Sequence, residues 1–308
     1  MRTEQGVLRT SIAVTVVVAA FGIGFGLLSG SFSIAFDGVY ALADAGMTVL
    51  ALWVSSLILK SSQGVAPTGR FARRFTMGFW HLEPMVLGVN GALLITVSIY
   101  AFINAIFSIL AGGRDLEFGF AIAYAVVTLA ACAAMALIGW RANRTLRSDF
   151  VSLDVKAWLM SGGITAALLI AFVIGYAIEG TQYGWIAPYI DPAVLALICL
   201  VIIPLPISTV QQALADILLM APPDLQKHVD RVAAETVKRL GFLSYRAYVA
   251  RVGRSREIEL YFIVPPNQPA RTIEEWDRIR DAIGDAIGGD VDNRWLTIAF
   301  TADPEWAG

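Results

Sequence analysis

The chain has 308 residues, of which 57% are hydrophobic and only 16% charged, against roughly 25% charged residues in a soluble globular domain. A mean hydropathy of +0.65 excludes an ordinary soluble protein, and a formal net charge of −2 without any basic tract excludes a nucleic-acid binder. The two cysteines, Cys132 and Cys199, each lie inside an apolar run, which excludes a disulfide framework or cysteine-rich metal site and leaves two small buried hydrophobes.

Six apolar segments follow one another, at 8–29, 33–59, 84–111, 117–140, 156–178 and 190–219. Each is long enough to cross a bilayer as a helix, for which about 20 residues suffice. The first follows Arg2 and Arg9 and continues without a small-residue cleavage site, so it reads as a retained span and not as a signal peptide. Basic residues collect on one side: Arg2 and Arg9, then Lys60, Arg70, Arg73 and Arg74, then Arg141, Arg144 and Arg147. The alternate loops carry few, with Arg114 standing beside Asp115 and Glu117. The positive-inside rule then predicts a multi-pass integral protein with both termini cytoplasmic, and the plasma (inner) membrane is the expected bilayer.

The second segment, SFSIAFDGVYALADAGMTVLALWVSSLILK, is the most informative, because it carries Asp37 and Asp44 within an apolar run. At helical spacing Asp37, Tyr40 or Ala41, and Asp44 share one face. An Asp at the centre of a membrane helix costs about 2.5 to 3.5 kcal/mol on insertion scales, so a stripe of two faces a polar partner, an ion or water. The stripe is therefore a candidate cation path, with hydrogen bonding to neighbouring helices as the structural alternative.

The third segment opens with FTMGFWHLEPM, which places His81 and Glu83 at the cytoplasmic end and Asn90 about two turns deeper. Glu83 is expected to bond to arginines of the preceding loop, and Asn90 to hydrogen-bond across helices. His81 is a candidate metal ligand or proton carrier, since imidazole titrates near neutrality. The fourth segment, rich in Ala and with no charged residue between Glu117 and Arg141, reads as scaffold. In the fifth, Asp154 and Lys156 lie at the boundary and Ser161 deeper; in the sixth, Asp191 before Pro192 suits a helix N-terminus, and Pro204 and Pro206 are expected to kink the helix.

Composition shifts at Ala221-Pro222-Pro223, which divides the chain into a membrane domain at 1–220 and a cytoplasmic domain at 221–308. The second reads as helix over 224–240 stopped by Gly241, strands over 243–252 and 256–264 about a Gly253 turn, a helix from Thr272 to Ile287, and a strand from Arg294 to Thr301. Ile258, Leu260, Phe262 and Val264 share one face, and Thr272 with Glu275 forms a possible capping box. The predicted fold class is an α-helical membrane protein of six transmembrane helices followed by a cytoplasmic α+β (ferredoxin-like) domain.

Four stretches in order, SFSIAFDGVYALAD, FTMGFWHLEPMVLGVNGALL, YIDPAVLAL and APPDL, resemble the cation diffusion facilitator (cation efflux) family. The resemblance covers nearly the whole chain. It implies export of a divalent transition metal such as zinc, manganese or iron from the cytoplasm in exchange for protons, by a homodimer joined through the C-terminal domain, with no cofactor and no enzymatic activity. It also places a metal pair at Tyr40 and Asp44 and a second pair on the fifth helix. There, matching on the apolar run sets Leu159 and Gly163, and matching on the tryptophan sets Ala157 and Ser161; neither completes a four-ligand site. The candidate metal set is thus Asp44, Tyr40, Asp37 and Ser161, with Asp154 and His81 as possible accessory residues. Asp154 is otherwise a boundary acid paired with Lys156 or an arginine. An all-oxygen set suits a harder or weakly held cation; the alternative is a non-transporting or regulatory member. The loop from Lys60 to Phe75 lacks Asp and His, and His228 is the only imidazole of the C-terminal domain, expected to be solvated.

Overall fold

The computed structural model describes residues 4–62, 78–146, 149–266, 268–289 and 293–307. The loop arginines Arg70, Arg73 and Arg74, together with Arg2 and Arg147, lie outside the described residues. Long helices dominate the first two thirds: α1(Glu4–Ser29), α2(Phe32–Ser62), α3(Leu82–Leu110), α4(Phe118–Leu146), α5(Asp149–Ile178), α6(Ala187–Ile202) and α7(Ile207–Ile217). Among the described residues, six spans are long and apolar enough to cross a membrane, the last of them running from Gly184 to Ile217 through both α6 and α7. Helix is the form such segments must take, because a lipid-facing backbone has to satisfy its own hydrogen bonds. The sixth segment departs from the expected kinked helix. Pro204 and Pro206 have no N–H to give, so the α-ladder stops at Ile203 N–H to Cys199 O (2.9 Å) and tight turns close 203–206 before α7 begins.

Two compact units are found, one of residues 1–49 and 90–208, the other of 50–89 and 209–308. In the first unit, Ile34, Phe118, Ala121, Tyr124, Leu168 and Phe172 form one buried cluster, and Phe36, Ala101, Ala105, Leu195 and Cys199 another. Close approach of α1 and α2 depends on Gly38, where an added Cβ would sit 2.6 Å from the Ala19 carbonyl oxygen. Small residues at such crossings are how apolar helices pack without a hydrophobic drive.

Asp191 corrects an expectation. Its own helix begins four residues earlier, at Ala187, so its carboxylate is not needed there. Instead it accepts from the Ser31 hydroxyl and from the Phe32 N–H (3.1 Å), while the Ser33 hydroxyl donates to its backbone carbonyl (2.9 Å). Asp191 thus caps α2, and it is 1% exposed.

The second unit holds α8(Pro223–Leu240), β1(Ser244–Val252), β2(Ser255–Ile263), α9(Ile273–Ile287) and β3(Arg294–Thr301). The strand order is β1-β2-β3, with β1 antiparallel and β3 parallel to β2. Alternation puts Ile258, Leu260, Phe262 and Val264 into one core with Val229, Ala233 and Ile283, as a period of two requires. Gly241 ends α8 in the left-handed region at φ 69°, where glycine carries no Cβ penalty. Thr272 and Glu275 make both halves of a capping box. His228 is not simply solvated: its Nε2 lies 3.1 Å from the Ile287 carbonyl and ties α8 to the end of α9. With a core and caps of its own, the segment 221–308 is expected to fold when produced alone. A cooperative thermal transition and dispersed amide NMR spectrum check this; an uncooperative, collapsed spectrum refutes it.

Candidate cation site on the second helix

The apolar period of α2 turns Phe36 and Tyr40 toward the same neighbours, their rings 5.7 Å apart, beside the cluster formed with Ala101, Ala105 and Leu195. One turn on, Asp44 lies beside Tyr40 closely enough for its charge to act on the phenol, and the Asn90 side chain of α3 hydrogen-bonds the Asp44 carboxylate. Only the amide group of Asn90 can donate, so its oxygen is left over. That Oδ1 is buried without a hydrogen-bond partner, which in an apolar interior is costly unless something is provided for it. Asp44 itself is exposed on the single chain. A carboxylate, a phenol oxygen and a spare amide oxygen therefore meet at one place on α2 and α3, all hard donors suited to a cation that accepts oxygen.

The other predicted residues are placed apart. Asp37 accepts from the Tyr124 hydroxyl of α4 at 3.0 Å, and Tyr124 is fully buried. The close fit leaves no room behind the phenol, since a Cβ on Gly22 would come within 2.9 Å of it. Ser161 lies on α5, 3.8 Å from the thiol of Cys132 on α4. Asp154 accepts from the Ser11 hydroxyl at 2.6 Å, and Ser11 in turn accepts from Trp158 Nε1 at 2.8 Å; among the described residues its partner is thus on α1 and is neither Lys156 nor an arginine. His81 is exposed, just ahead of α3. Among the described residues, no group of three or more His, Cys, Asp and Glu is placed to hold a metal ion.

Two side chains were underrated by sequence reasoning. Tyr124 sits in a segment read as scaffold yet donates a hydrogen bond to Asp37, and Asn90 brings a buried amide oxygen without a partner beside Asp44. The loop arginines expected to meet Glu83 lie outside the described residues, and among the described residues Glu83 has a partner from a distant part of the chain. Its carboxylate takes Arg254 of the C-terminal domain, which raises the guanidinium further above its ordinary pKa through that hydrogen bond.

Six apolar spans among the described residues, an acid-bearing face on the second of them and a small α+β domain after the last define a polytopic membrane protein by class. Residues 8–218 match the family model described as the cation efflux transmembrane domain. The chain therefore belongs to the cation diffusion facilitator family, whose members are transporters. A comparison with curated proteins finds no match.

Proposed function

We propose that this chain exports a divalent cation from the cytoplasm in exchange for protons, as a homodimer joined through its C-terminal domain, in the plasma (inner) membrane with both termini cytoplasmic. The observation that carries the reading is the meeting of Asp44, Tyr40 and Asn90 on α2 and α3. Asp44 is the charge carrier: its carboxylate binds either the cation or a proton, and alternating access exposes it to each side in turn. Tyr40 and the Asn90 oxygen complete an oxygen shell with water, which favours a harder ion such as manganese over tightly held zinc. Asp37, held by Tyr124, supports the path without binding the cargo at the same point, and Ser161 contributes a polar wall on α5.

The test is transport by purified protein in proteoliposomes, over a panel of divalent cations with a pH-sensitive dye inside. Cation movement coupled to opposite proton movement is expected. Flux without a pH change removes the antiport, and no flux for any cation in a well-folded preparation removes the transporter reading. Orientation is checked separately. Reporters fused after Lys60, Arg144 and Gly308 are all expected on the cytoplasmic side, because the basic residues cluster there; an outside reading at Gly308 overturns the topology.

A further inference from the structure

The β1–β2 hairpin turns at Gly253 with two arginines beside the turn, and both reach helices from distant parts of the chain. Arg251 Nε donates to Asp216 Oδ1 of α7 at 2.9 Å. Arg254 donates through Nε and Nη2 to the two carboxylate oxygens of Glu83 on α3, each at 3.0 Å, and its backbone N–H adds a bond of 3.3 Å to Oε2. The same Nη2 lies 3.3 Å from Ser55 Oγ on α2. Glycine suits the turn on both counts: Gly253 has φ 61°, and a Cβ there would stand 2.9 Å from Glu83 Oε2 and 3.2 Å from Pro84 Cδ. All of these residues fall in one compact unit.

Such contacts do more than decorate a surface. A single exposed ion pair stabilises little, but the bidentate fork is the strong geometry for Arg with a carboxylate. The Asp216 side chain is only 7% exposed, and a carboxylate so buried needs its partner. A domain joined to α7 by the short stretch 218–222 alone is free to swivel about that joint. Added pins on α7, α3 and α2 remove that freedom.

We propose that Arg251 and Arg254 form a clamp through which the C-terminal domain controls the set of α2 and α3, the helices that carry Asp44 and Asn90. The inference rests on the transport reading for its consequence but not for the clamp itself. Arg254 and Glu83 are positioning residues, acting on the cation site only through the helices they hold.

The experiment uses the full chain in detergent and in proteoliposomes, with Arg254→Glu, Glu83→Arg and the double exchange, which rebuilds the pair in reverse. Arg254→Gln replaces the reversal if that variant fails to assemble. Hydrogen exchange of the hairpin amides reads the clamp, and thiol labelling of a cysteine introduced by Ala41→Cys reads water access beside Tyr40; Cys132 and Cys199 are buried. Both rates are expected to change by at least about fivefold in the single variants, the lower end of ordinary coupling between sites, and to return in the double. Cation flux should change in parallel. Unchanged hairpin exchange overturns the clamp, and faster hairpin exchange with unchanged labelling at position 41 overturns the coupling. If the unmodified protein moves no cation, the transport reading fails while the two exchange and labelling results still decide the clamp.

Discussion

Asp44→Asn leaves the protein assembled and abolishes cation flux. The substitution keeps the size of the side chain and one acceptor oxygen for the Asn90 amide, while the other oxygen becomes a donor and the negative charge is lost. A neutral amide neither balances a divalent cation nor carries a proton across, so the expected effect is complete loss rather than a weaker apparent affinity. Proteoliposome flux at saturating cation, with the elution profile of the purified protein as a control, checks it; transport at the unmodified rate sinks the assignment of Asp44. Its neighbours grade the result. Asp37→Asn should do less, because Asp37 is engaged by Tyr124 at 3.0 Å and lies almost two turns from Asp44 on the helix. Tyr40→Phe removes only the hydroxyl. Loss of flux there makes the phenol oxygen a ligand or proton relay, and retention makes it packing against Phe36.

What the sequence made legible were the features written in local spacing. Apolar runs of helical length marked the spans, alternation marked β2, and Thr272 with Glu275 marked a cap that forms as expected, because each signal lies within a turn or two of chain. The partners of buried polar groups were not legible in this way. Tyr124 and Asp37 are 87 residues apart, Asp191 and Phe32 159, Arg254 and Glu83 171; no periodicity links such positions, and only packing decides which donor meets which acceptor. Nearby charges misled for the same reason. Lys156 is two residues from Asp154 and so points elsewhere on the helix, whereas Ser11 comes from α1 and reaches the carboxylate directly. The family resemblance places a second metal pair on the fifth helix, where this sequence offers Ser161 alone. Asn90 on α3 lies beside Asp44, and its signal was a lone amide in a membrane segment, which sequence shows but does not aim.

Asp191→Ala is expected to be among the most destabilising single substitutions in the membrane helices. The carboxylate serves the Ser31 hydroxyl and the Phe32 N–H at once, and Ser31 in turn accepts from the Ile34 N–H. Removing it leaves the Ser31 hydroxyl and the Phe32 amide without acceptors in a site shut off from water, at about 1 to 3 kcal/mol each. A loss of about 2 to 4 kcal/mol is therefore expected after partial relaxation. Asp191→Asn keeps one acceptor oxygen and should lose less, and Ser31→Ala, which removes the N-cap acceptor of the Ile34 N–H, should cost about 1 kcal/mol. Unfolding in mixed micelles, followed by far-ultraviolet circular dichroism, measures the three. An order with Ser31→Ala the most damaging would show that the serine and not the carboxylate organises this helix start. Because the same helix carries Asp44, the variants that loosen its first turn should also lower cation flux, with Asp191→Ala reducing it more than Asp191→Asn at equal protein density.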